Sequence, residues 1–82
     1  MNLQLIQGQF STQDAIDIIT QMITVKIKFH ENKINNAHTE EDIKMRERRI
    51  KQLQLQLHES RSYIQKQGDN VAIDSEILFK SK

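Results

Sequence analysis

Residues 39–68, TEEDIKMRERRIKQLQLQLHESRSYIQKQG, place an apolar side chain at every seventh position, Ile43, Ile50, Leu57 and Ile64, with Leu53 at an intermediate one. At about 100° per residue these side chains share an arc of roughly 80°, a seam that one partner helix covers. Thr39 followed by Glu40, Glu41 and Asp42 reads as a helix start. The hydroxyl accepts a free N–H of the first turn, and the acids sit where the helix dipole favours negative charge. Lys66 and Gly68 close the segment, the glycine supplying the left-handed residue that often follows a last turn. The pairs Glu40–Lys44, Asp42–Arg46 and Glu47–Lys51 put the acid four residues before the base, each adding ~0.2–0.5 kcal/mol. A helix over 39–67 is predicted.

Its partner lies just upstream. Ser11 to Asp14 repeats the capping pattern, and residues 12–36 contain neither Gly nor Pro, which predicts a second helix there. A single rod would bury the Thr39 cap in mid-helix, so Asn35, Asn36, Ala37 and His38 are read as a turn, with Asn in left-handed backbone. Helix one has two apolar arcs. Ile18, Met22, Val25 and Phe29 lie within about 40° of one another's centre, and Ile16, Ile19, Ile23, Ile27 and Ile34 form a second arc roughly 100–180° away. One partner helix covers one arc, so the second is expected to meet another chain, with Leu55 and Tyr63 as further contacts outside the seam.

Both ends read as strands. Residues 2–10 alternate at Leu3 and Leu5, then change phase at Ile6 and Phe10; Gly8 marks either a bulge or the strand's end. In residues 71–79, Val71, Ile73, Ile77 and Phe79 alternate with Ala72, Asp74, Glu76 and Lys80, Leu78 breaking the pattern. A short helix from Ser75 to Lys80, capped by Asp74, is the alternative. The predicted fold is a mainly α, α+β single domain spanning 1–82, ordered strand, helix, helix, strand. A closed hairpin brings the two strands together as an antiparallel ribbon. A two-stranded ribbon alone is marginal in water, so a homodimer with coiled-coil-like contacts is expected.

Composition supports this and excludes sharper functions. Eighty-two residues bury little surface, and with no Cys there is neither a disulfide nor a thiolate metal site to compensate. No apolar run reaches the ~18 residues of a membrane span, and no basic stretch followed by an apolar run marks a secretory signal, so a cytoplasmic setting without membrane contact is expected. The net charge of +1 does not demand a polyanionic partner.

The one basic concentration runs from Lys44 to Lys51, where Lys44, Arg48 and Lys51 are the candidate nucleic-acid contacts. The bases there point around the whole helix and three of them, Lys44, Arg46 and Lys51, follow acids by four residues, which reads as a solvated face. Arg46 falls on the seam itself. It is expected to snorkel and pair with Glu31, the sharper reading being an anion ligand at the hairpin tip. His30 and His58 stand roughly 20 Å apart in such a hairpin and cannot share a metal, so no metal or cofactor is expected. Ser11 and Thr39 are caps and Asp14 with Asp17 an ordinary polar face, so no catalytic constellation is found and an enzyme is not expected. These readings converge on a small protein-interaction or structural module, a regulatory nucleic-acid binder being the alternative.

Overall fold

Ser11 Oγ accepts the Asp14 N–H at 3.1 Å and Thr39 Oγ1 accepts that of Asp42 at 3.2 Å, so each helix begins beside the residue that caps it. A computed structural model describes residues 1–81, in the order β1 (Asn2–Ser11), α1 (Thr12–Asn35), α2 (Glu40–Gln65) and β2 (Asn70–Leu78). The helices form a hairpin and the strands pair antiparallel, which is the predicted β-α-α-β architecture. The elements end one or two residues from the expected limits, and β2 continues through Ser75 instead of turning into a short helix. No helix among the described residues is long and apolar enough to cross a membrane.

The hairpin tip differs from expectation. Among the described residues none other than glycine has positive φ; α1 ends instead through Asn36 N–H to Lys33 O (3.2 Å) and Ala37 N–H to Ile34 O (3.1 Å). These tight last-turn bonds, with Asn36 Nδ2 donating to Asn32 O at 3.0 Å, satisfy carbonyls that a left-handed residue otherwise would. At the other end Gly68 does adopt φ +87°. The Thr12 hydroxyl donates to Gly68 O and the Thr12 N–H to Asp69 O, tying the start of α1 to the turn that leads into β2.

The phase change in β1 is absorbed at Leu5 and not at Gly8. Pairing runs Phe10 with Val71, Gly8 with Ile73 and Ile6 with Ser75, then resumes at Gln4 with Glu76 and Leu3 with Ile77, leaving Leu5 as an extra residue. Directly paired residues share a face. The bulge therefore returns Leu3 and Ile77 to the side carrying Phe10, Ile6, Val71 and Ile73, while Gln7, Gln9, Asp74 and Glu76 occupy the other. The Gln4 amide donates to Ile6 O (3.0 Å), Ser75 O (3.1 Å) and Asp74 Oδ1 (2.6 Å), bridging the two strands beside the bulge. Gly8, at φ +151°, holds a backbone that residues with a Cβ rarely adopt.

The core is small. Ala15, Ile16 and Ile64 form its centre, with Phe10, Ile19, Val71 and Ile73 packed around them where the ribbon meets the hairpin. Farther along, Ile23 and Leu53 are the remaining buried side chains among the described residues. The seam of α2 is confirmed: Leu53 and Ile64 are buried, Ile43, Ile50 and Leu57 half-buried, and Met45, Leu55 and Tyr63 exposed. On α1, Ile16 and Ile23 are each only 8% exposed within the single chain, whereas Val25 is 67% and Phe29 52% exposed. The arc that faces inward is therefore the one containing Ile16 and Ile23, and the arc containing Val25 and Phe29 looks out.

Candidate functional site

Two adjoining features occupy one side of the hairpin. The first is an apolar cleft of about 660 Å³, with Leu5 from the ribbon, Ile19, Met22 and Val25 from α1, and Leu53 and Ser60 from α2 along its walls. It continues past Ile19, Glu59 and Ser60 into a second hollow of about 460 Å³ bounded by Tyr63, Val71 and Ile73. The bulge explains why the ribbon contributes here: without it, Leu5 belongs to the regular alternation and Leu3 and Ile6 face opposite ways.

The second feature is a recess of about 340 Å³ nearer the tip, sharing Lys26, Leu53 and Gln56 with the cleft. Lys26 and His30 reach it from α1, and Arg46, Arg49, Gln52 and Gln56 from α2. No carboxylate lines it among the described residues. Arg46 Nη1 donates to His30 Nδ1 at 2.9 Å, so the half-buried guanidinium on the seam pairs with His30 and not with Glu31. Its Cζ also lies 5.7 Å from the centroid of the Phe29 ring, and Lys33 Nζ lies 5.6 Å from that centroid. The Phe29 and His30 rings meet edge to face at 5.5 Å. Arg46 thus has two neutral neighbours, the His30 ring nitrogen and the Phe29 ring, and Phe29 lies near two cations at once.

The electrostatics follow from this crowding of bases. His30 is held below its ordinary value of about 6.5, first by partial burial and then by repulsion from Arg46, Arg49 and Lys26. A guanidinium has no acceptor, so the nitrogen it reaches on His30 must be the unprotonated one. The ring proton is thereby placed on Nε2.

Of the residues expected at an interface, Ile16 and Ile23 lie in the chain's own core. Ile19, Ile27 and Ile34 are half-buried, while Tyr63 is 64% and Leu55 57% exposed. Ile19 and Tyr63 are brought together on the wall of the cleft. Lys44, Arg48 and Lys51 share a shallow exposed recess with Glu47, whose charge offsets one of theirs. Among the described residues no cluster of three His, Asp or Glu side chains could hold a metal. Sequence reasoning missed Lys26 and Arg49. The available signal was spacing, since Lys26 and His30 stand four apart on one helix and Arg46 and Arg49 three apart on the other, each pair sharing a face.

No family model matches the chain, and no curated protein or solved structure matches it significantly.

Proposed function

We propose that this chain is a small non-enzymatic interaction module, acting in the cytoplasm, which self-associates by burying the cleft face against a second copy. The observation that carries this reading is area. The chain exposes 6736 Å², about a third more than the roughly 5,100 Å² expected of a compact monomer of its mass. The surplus exceeds the ~800 Å² per partner that a standard interface removes. Much of the exposed apolar surface is continuous, running from Tyr63 through Ile19 and Met22 to Val25 and Leu5. The ribbon adds two open edges that a second copy can pair or cover. A nucleic-acid reading has less support, because Lys44, Arg48 and Lys51 surround Glu47 on a solvent face.

Light scattering on a sizing column tests the proposal. The native chain is expected to elute with the mass of a dimer, and Val25→Glu with that of a folded monomer. Val25 is exposed in the single chain, so its replacement acts on association and leaves the chain's own core intact. A native monomer at every concentration overturns the reading.

A further inference from the structure

We propose that the recess between Lys26, His30, Arg46 and Arg49 binds a small phosphate-class oxyanion, a site distinct from the apolar cleft beside it. The first argument is charge. Three permanent cations line a space of about 340 Å³ that contains no carboxylate among the described residues, and the side-chain partner of half-buried Arg46 is a ring nitrogen that must be uncharged to accept its bond. A positive charge taken partly out of water without an opposite charge is unfavourable, and a bound anion is the natural counter-charge. The second argument is donor chemistry. Arg46 and Arg49 carry planar forks suited to phosphoryl oxygens, Gln52 and Gln56 add amide donors, and His30 offers its Nε2–H because Nδ1 is already engaged.

The third argument is shape. Met45 and Leu53 complete the walls, lowering the local dielectric, and the recess opens into the apolar cleft through Lys26, Leu53 and Gln56. The space of about 340 Å³ exceeds what the phosphoryl group itself fills, so a small phosphomonoester fits within the recess as well as free phosphate does. The shared chemistry is the phosphoryl dianion. The groups facing His30 are Lys26 from its own helix and Arg46 and Arg49 from the other, all cationic, and donation from Nε2–H to a bound dianion leaves the Arg46 contact to Nδ1 intact.

The test is an NMR titration of the full chain with inorganic phosphate and, separately, with phenyl phosphate, phenol serving as the uncharged control. The His30 ring and the Arg46 and Arg49 side-chain signals are expected to shift saturably with both phosphates and not with phenol. Tighter binding of phenyl phosphate assigns the site to a phosphomonoester, and equal binding assigns it to free phosphate. Arg49→Gln, an exposed position, is expected to weaken binding about tenfold or more, the loss of one charge-assisted contact. The double substitution Lys44→Gln with Lys51→Gln removes more charge away from the recess and is expected to leave affinity unchanged. Because Arg46 lies on the seam, Lys26→Gln provides the second in-site variant. Shifts that never saturate, or an equal loss in the Lys44 and Lys51 variant, overturn the site in favour of diffuse attraction. Repeating the titration on Val25→Glu separates this result from the association state.

Discussion

A guanidinium can only donate, and that single fact decides the state of His30. While Arg46 Nη1 bonds His30 Nδ1, the ring is neutral; protonation turns both nitrogens into donors and breaks the contact. The folded chain therefore binds this proton less readily than the unfolded one, and His30 sits below its ordinary value of about 6.5. The sign follows from linkage: with the folded value depressed, the contribution to stability is fully present above about 6.5 and is lost as pH falls through the lowered folded value. Urea midpoints at fixed protein concentration are expected to fall over that window in the native chain and to fall less in His30→Gln, which has no ring to protonate. Equal pH profiles for the two chains contradict the pairing.

At the scale of elements, the bulge in β1 determines what the ribbon presents to the helices. Deleting Leu5 leaves every other pair of the ladder in register, because Gln4 already faces Glu76 and Leu3 already faces Ile77. The deletion is therefore expected to preserve the antiparallel cross-strand contacts seen by NMR. It removes a side chain from the cleft wall, so the same variant is expected to associate more weakly. Loss of the ladder would mean that the bulge holds the ribbon together. Much of this level was legible in sequence. The seam of α2 and the Ser11 and Thr39 caps depend on residues three to seven apart, and each was visible without knowing where the rest of the chain lies. The bulge was legible only as a change of phase. Gly8 and Leu5 both stand near that change, and the register across to β2 chooses between them.

The whole molecule is flat, with Cα extents of 46 × 31 × 14 Å. Two helices and two strands leave a thin layer, and among the described residues only Ala15, Ile16, Ile23, Leu53 and Ile64 are buried hydrophobics in the single chain. A chain with so small a core gains stability from any partner that binds only its folded form. If that partner is a second copy, the thermal midpoint of the native chain is expected to rise with protein concentration, and that of Val25→Glu to stay constant. Calorimetry over about a hundredfold range of concentration makes the comparison. A native midpoint independent of concentration argues against the dimer at the temperature of unfolding.

By itself the sequence determined the number and order of elements, the starts of both helices, the inward seam of α2 and the antiparallel pairing of the ends. Periodicity, capping and chain connectivity are short-range or topological constraints, and one chain expresses them fully. Only the tertiary structure decided which apolar arc of α1 turns inward: the sequence reading assigned the arc of Ile16, Ile19, Ile23, Ile27 and Ile34 to another chain, whereas Ile16 and Ile23 are buried within this one, because periodicity marks two arcs without saying which meets α2. Packing resolved the choice by placing Ile16 with Ala15 and Ile64 under the ribbon, which turns Val25 and Phe29 outward. The same packing brings His30 and Arg46, sixteen residues apart, within 2.9 Å. That contact depends on how the two helices align at the tip, and no local pattern carries it.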